Sequence, residues 1–343
     1  MSRAGWRAAD TGRYVPRPPR GRDLADSWPE HDATGSTDHP PCRRVRVARA
    51  AVYGNLGPGR TVGAYRRRVG GGAADGGPVG YAEVNGVRFW YEAHGSGRPL
   101  VLLHGGFGAV ETFAAIRPAL ARRRRVISVD LPGHGRTADV DRPLRYESMA
   151  DDVAALIVHL GISPADVLGF SLGGGVALRL AIQHRDVVRR LVVVSAPCRR
   201  QGWFPEVLAG MPEPDEAAGE RMRGIPPQQL YQAVAPRPQD WPRLWAKTGE
   251  LLRREYDWSP EVAALSTPTL LVFADADSVR PAHMVEFFGL LGGGHRDAGW
   301  DGTDRPDARL AVLPGLTHYD IVDSPALPAM VLPFFTHTLH TPA

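Results

Sequence analysis

From Pro99 onward, short apolar runs alternate with stretches of helical periodicity. Pro99–Leu103, Arg125–Val129, Asp166–Phe170, Arg190–Ser195, Thr269–Ala274 and Arg309–Leu313 are dominated by apolar residues at consecutive positions. A strand with one wet face would alternate apolar and polar residues, so these strands are expected to be covered on both sides. The covers lie between them. Tyr146 to Leu160 places Met149, Val153, Leu156, Ile157 and Leu160 at helical spacing and stops at Gly161. Phe113, Ile116 and Leu120 mark a shorter helical stretch. Ala282–Leu291 before Gly292 and a closing segment around Leu327–Leu339 mark two further helices. Strand–helix alternation with buried strands requires a mostly parallel sheet with helices on both faces. At its start, Tyr81–Val84 and Val87–Glu92 flank Asn85-Gly86, the signature of a hairpin with a type I′ turn.

Residues 1–80 have no such period. Pro, Gly and Arg dominate, and apolar residues are too sparse to offset the entropy of ordering them. The segment is expected to be a disordered leader, with the folded domain spanning 81–340. It also explains the charge. The chain is +4, but residues 1–80 hold 14 Arg against 7 acidic residues, while the remainder holds 27 basic and 30 acidic residues. The basic character belongs to the leader, and the expected reading is a solvated tail rather than a nucleic-acid arm. Arg, Ala, Gly and Pro use GC-rich codons, so upstream non-coding DNA of a GC-rich genome would read like this segment, and a native start downstream, for instance near Val79, is the alternative to a disordered leader. No apolar run approaches the eighteen or so residues of a membrane span. The two cysteines, Cys42 and Cys198, lie in dissimilar segments and suggest no disulfide framework, which fits a reducing, cytoplasmic compartment.

The alternation breaks between Pro197 and about Pro260, where four of the eight tryptophans (Trp203, Trp241, Trp245 and Trp258) fall among prolines and short helical stretches. This reads as a helical cap at about 197–262 over the C-terminal edge of the sheet.

The chemistry centres on Gly169-Phe170-Ser171-Leu172-Gly173. A buried strand delivers this Gly-x-Ser-x-Gly stretch and a helix leaves it, with Val176, Leu180 and Ala181 on one face. In that context a sharp turn exposes the serine hydroxyl above the sheet end, and the glycines allow the close strand–helix crossing. A serine hydroxyl needs a base, and the base needs an orienting group. His318 directly follows the last strand in a Gly-containing loop, unlike His283, His295, His337 and His340, and is the expected base. The expected acid follows the strand Thr269–Ala274; Asp277 is preferred to Asp275 because it sits deeper in the turn. His104 and His134 precede the serine and are expected to shape their loops. Acyl transfer also needs donors for the developing oxyanion. The Leu172 amide at the helix N-terminus supplies one, and the His104-Gly105-Gly106-Phe107-Gly108 loop supplies the second, from Gly106 in preference to Phe107. No metal-ligand spacing and no nucleotide fingerprint is present, so neither metal nor cofactor is expected.

Taken together, HGGFG, DLPGHGRT, GFSLGGG, FADADSVRP and LPGLTHYD resemble the α/β-hydrolase superfamily. They are similar to its branch of capped serine esterases, cofactor-free haloperoxidases and epoxide-hydrolase-like enzymes. The resemblance runs from about Tyr81 to Thr338. It implies an α/β-hydrolase fold with an eight-stranded, mostly parallel sheet, and the order Ser, Asp, His of the triad. Serine at the position where dehalogenases and epoxide hydrolases carry Asp argues against those two chemistries.

The expected function is hydrolysis of carboxylic esters, with lactones or thioesters as variants, through an acyl-enzyme on Ser171. The substrate is expected to be a small apolar ester. Cleavage of a carbon–carbon bond in a diketone would use the same residues, and a non-enzymatic receptor on this fold is the reading from another class.

Overall fold

In the computed structural model of the chain, residues 76–336 are described. Expectations about residues 1–75, and the end of the closing helix beyond Thr336, lie outside them. The first strand, β1 (Gly76–Val84), begins ahead of Tyr81. It pairs antiparallel with β2 (Val87–His94) through Asn85 at φ 51° and Gly86 at φ 73°, the two left-handed positions a type I′ turn requires.

The remaining strands are β3 (Pro99–Leu103), β4 (Arg125–Val129), β5 (Ala165–Phe170), β6 (Val188–Val194), β7 (Thr269–Ala276) and β8 (Arg309–Thr317). They form one eight-stranded sheet in the order β1-β2-β4-β3-β5-β6-β7-β8, parallel from β4 to β8. The reason for the continuous apolar runs is visible in the two cores. Val101, Leu103, Val167, Val193, Leu271 and Phe273 pack on one face; Leu100, Leu102, Leu168, Val192, Leu270 and Val272 pack on the other. Residues alternate between faces, and both faces are dry.

Helices α1 (Arg117–Ala121), α2 (Tyr146–His159) and α3 (Leu172–Gln183) lie between the early strands. Met149 and Val153 of α2 and Val176 and Leu180 of α3 join the first core, whereas Leu120 of α1 joins the second. Between β6 and β7 come α4 (Pro205–Ala209), α5 (Glu216–Arg221), α6 (Pro226–Val234), α7 (Trp241–Arg253) and α8 (Ser259–Ala263). Helix α9 (Pro281–Leu290) separates β7 from β8, and α10 (Ala326–Thr336) closes the described chain against the second core. Among the described residues no helix is long and apolar enough to cross a membrane.

One sequence expectation needs correction. Pro314-Gly315-Leu316-Thr317 reads as a loop, yet β8 runs through it to Thr317. Proline is tolerated because β8 is an edge strand. The pairing with β7 is irregular between Ala274 and Ala276, and the Asp275 carboxylate there accepts from Gly315 N (2.9 Å) and Leu316 N (3.2 Å). The strand extension delivers His318 directly at its end.

Candidate active site

Strand β5 ends at Phe170 and α3 starts at Leu172, so a single residue makes the turn. That residue, Ser171, has φ 52° and ψ −117°, a combination rarely adopted outside glycine. The turn is held by close packing. A Cβ on Gly169 would lie 2.1 Å from the Gly173 oxygen, and one on Gly173 would lie 2.2 Å from the Leu103 oxygen and 2.4 Å from that of His104. Ser171 N donates to Val194 O at 2.9 Å, tying the turn to β6.

The structure brings His318 and Asp277 to this serine. His318 Nε2 is 3.1 Å from Ser171 Oγ, and His318 Nδ1 is 3.1 Å from Asp277 Oδ1. Both side chains are buried at the C-terminal edge of the sheet. Asp277 is held at both oxygens. Oδ1 also accepts from Val279 N (3.2 Å), and Oδ2 accepts from Ala274 N (3.0 Å) and Ser195 Oγ (2.5 Å). Burial pushes its carboxyl upward, but the contacts with His318, Ser195 and Ala274 outweigh it and hold the group below its ordinary range. Asp275 is exposed and organises β8 as described; it makes no contact with His318 among the bonds it forms. Hydrogen bonding from Gly315 in particular keeps its carboxyl low as well.

Ser195 belongs to none of the sequence motifs. It is fully buried, sits at φ 51° immediately after β6, and donates to the acid. A polar residue ending an otherwise apolar strand at the edge where Ser171 and Asp277 emerge is the signal that would have marked it.

The loop after β3 lies against the turn. A Cβ on Gly105 would meet the Phe170 ring at 3.0 Å and Ser171 Cβ at 3.3 Å, and one on Gly106 would lie 3.6 Å from Leu172 Cδ1. Gly108 N donates to Gly105 O at 3.1 Å, and Phe107 between them adopts φ 59°. The first helical bond of α3 runs from Gly175 N to Ser171 O. The amide of Leu172 therefore precedes the helical ladder, at the positive end of the helix. Gly106 and Leu172, the two residues expected to supply oxyanion donors, are thus neighbours beside Ser171.

His104 and His134 are fully buried. His104 Nε2 accepts from Leu131 N (3.0 Å) and its Nδ1 donates to Gly105 O (2.8 Å). Burial, reinforced by the neighbouring His134 ring, lowers its pKa to about 3; burial lowers that of His134 to about 4. Both are neutral rings that shape loops. His283 pairs with Cys198 N (3.2 Å) and Glu286 (3.1 Å), away from the serine, and His295 contacts Gly289 O. His337 and His340 lie outside the described residues. Among the described residues no group of three or more His, Cys, Asp or Glu side chains is arranged to hold a metal.

Aromatic rings enclose the site. Phe170 and Tyr319 each approach the His318 ring at 5.3 Å between centroids, and Trp203 approaches it edge-on at 5.6 Å. Helix α7 covers the loops after β3 and β4. Trp245 stacks on Phe107 at 5.0 Å and Lys247 holds Asp139 at 2.7 Å.

The fold agrees with the family that the sequence matches. Residues 98–243 match the family described as alpha/beta hydrolase fold. A pimeloyl-[acyl-carrier protein] methyl ester esterase of Aeromonas hydrophila is 35% identical over 214 residues, covering 55% of this chain and 81% of the esterase. The chain belongs to the alpha/beta hydrolase fold family. An sn-1-specific diacylglycerol lipase of Mus musculus is 34% identical over 143 residues, covering 39% of this chain and 46% of the lipase. The chain spans less than half the length of several such curated relatives. Among solved structures, the enol-lactonase from Burkholderia xenovorans superposes with a TM-score of 0.59 at 24% identity, covering 75% of this chain and 100% of that one. That likeness speaks to the fold.

Proposed function

We propose that the protein is a serine-type hydrolase of carboxylic esters, with lactones and thioesters in reach of the same chemistry. The observation that carries this reading is the continuous hydrogen-bonded chain Ser171–His318–Asp277, with its serine held in a strained turn beside two backbone amides. His318 Nε2 takes the proton as Ser171 Oγ attacks the carbonyl carbon, and the carbonyl π pair moves onto oxygen. The Leu172 and Gly106 amides hold that oxyanion, each such donor typically contributing ~3 kcal/mol. Collapse expels the alcohol, which takes the proton back from His318. Water then repeats the sequence on the acyl-enzyme and releases the acid. Asp277, tied down by Val279, Ala274 and Ser195, fixes the imidazole with its proton on Nδ1 and stabilises the imidazolium. The apolar rings around His318 favour a small apolar ester. Two of the relatives, a methyl ester esterase and a diacylglycerol lipase, are by name enzymes of carboxylic esters.

The test is covalent labelling with a fluorophosphonate probe together with turnover of p-nitrophenyl acetate. Labelling should map to Ser171, and Ser171→Ala should abolish both. Retention of wild-type turnover by Ser171→Ala would remove Ser171 as nucleophile. Turnover of a diketone without ester hydrolysis would move the substrate class to carbon–carbon cleavage.

A further inference from the structure

Helix α7 packs one face inward, formed by Trp241, Leu244, Trp245, Thr248 and Leu251. Spacing of three and four residues makes this a single stripe. Thr248 is its polar member and is fully buried. Its hydroxyl has no hydrogen-bond partner among the described residues. Valine has nearly the same shape and would bury without that penalty, so an orphan hydroxyl in an otherwise apolar stripe asks for a ligand.

Its position indicates which ligand. A Cβ placed on Gly106 would lie 3.7 Å from Thr248 Cγ2 and 3.6 Å from Leu172 Cδ1. Thr248 and Leu172 therefore flank the same glycine, next to Ser171. Threonine in a helix divides between two χ1 rotamers, and a single rotation can bring the hydroxyl to the place the methyl holds while the methyl moves to that of Hβ. With the hydroxyl in the place of the Cγ2 methyl, it faces Gly106, the residue that Leu172 flanks from the other side. Trp245 stacked on Phe107 and Lys247 bound to Asp139 and Val140 O (2.7 Å) hold the turn of helix that leads into Thr248.

We propose that Thr248 is a third hydrogen-bond donor to the substrate carbonyl oxygen, a catalytic residue delivered by α7 to supplement the Gly106 and Leu172 amides. This rests on the reading of Ser171 as nucleophile. As Ser171 Oγ bonds to the carbonyl carbon, the π pair settles on oxygen, and the Thr248 O–H donates to that charge without giving up its proton. The donor matters most where charge has developed, so it acts on turnover more than on ground-state binding.

The experiment compares full-length wild type, Thr248→Val and Thr248→Ser in p-nitrophenyl acetate kinetics, fluorophosphonate labelling rate and Tm. Thr248→Val should lower kcat about tenfold to several hundredfold with KM within about threefold, as expected when an oxyanion donor is lost. Its labelling rate should fall in parallel, because the phosphonate oxygen occupies the same place, and its Tm should not fall. Thr248→Ser should return kcat to within about threefold of wild type. Wild-type kcat in Thr248→Val overturns the proposal, as does a matching fall in kcat and Tm in both variants, which would mark a packing role. If wild type itself is not labelled at Ser171, the nucleophile reading fails first; if it is labelled and Thr248→Val reacts equally fast, only the role of Thr248 falls.

Discussion

Asp277→Asn preserves shape and removes charge, and the structure dictates a specific penalty. Both carboxylate oxygens accept from a backbone N–H that has no second role: Oδ1 from Val279 and Oδ2 from Ala274. The asparagine amide presents one oxygen and one NH2. Turned one way, its NH2 confronts Val279 N–H and His318 Nδ1; turned the other, it confronts Ala274 N–H and the Ser195 hydroxyl. Ser195 can rotate to accept and His318 can change tautomer, but a backbone N–H can do neither. Every orientation leaves one buried donor unsatisfied, at a cost of about 1–3 kcal/mol of stability. The kinetic cost is larger. With NH2 towards His318, the ring carries its proton on Nε2 and cannot accept from Ser171, a fault that costs about 10⁴ in kcat where an equivalent acid has been changed. With NH2 towards Ser195, the tautomer survives but the negative charge beside the imidazolium is lost. We expect a fall in kcat of about 10³–10⁴ for p-nitrophenyl acetate, with KM little changed. Asp275→Asn is the comparison. It faces the same donor conflict at Gly315 and Leu316, but in water, which can satisfy what the amide cannot. It should lose less than about tenfold in kcat. If Asp277→Asn keeps kcat within about tenfold, or if Asp275→Asn is the more damaging change, the assignment of the acid is refuted.

Two further expectations concern stability. Gly173→Ala should destabilise the fold by about 1–3 kcal/mol or more, because its methyl would meet backbone oxygens at 2.2 and 2.4 Å, whereas Gly289→Ala, in a helix with nothing within 4 Å, should stabilise by up to about 1 kcal/mol. Urea unfolding of the two variants checks this, and equal midpoints would refute it. The neutral ring of His104 makes a pH-dependent contribution. Its folded pKa is depressed from 6.5 to about 3, so between those values the unfolded chain binds the extra proton and stability falls as pH falls. The full contribution, roughly 5 kcal/mol by linkage, is present above pH 6.5 and is lost on approaching pH 3. The stability advantage of wild type over His104→Gln should therefore shrink between about pH 7 and about pH 4.5; a constant gap would show that the buried ring is not held neutral.

Much of the fold is legible in the chain because burial on both faces of a parallel sheet imposes consecutive apolar residues, and turn chemistry imposes Asn85-Gly86. Those demands are local, so Leu100–Leu103 of β3 and Leu191–Val194 of β6 declare themselves without knowledge of their partners. The serine is legible for the same reason: Gly169, Ser171 and Gly173 satisfy one tight crossing within a single short stretch.

Other features depend on residues far apart in sequence. The preference for Asp277 over Asp275 becomes a matter of geometry only when β7 and β8 lie side by side, because both carboxylates accept backbone amides and only one of them faces His318. Pro314-Gly315 carries the composition of a turn, and only the edge position of β8 lets a strand pass through it. Ser195 and Thr248 look ordinary in the chain. One gains its role from an acid 82 positions away, and the other is singled out by a helix laid over Gly106. Local sequence determined which segments are strands and helices and where a strained serine would stand, since those choices are made by neighbours within a few residues. That Ser195 joins the acid, and how closely Asp277 and His318 approach that serine, was decided by the tertiary structure, because a hydrogen bond needs its partners within about 3 Å and sequence separation carries no such distance.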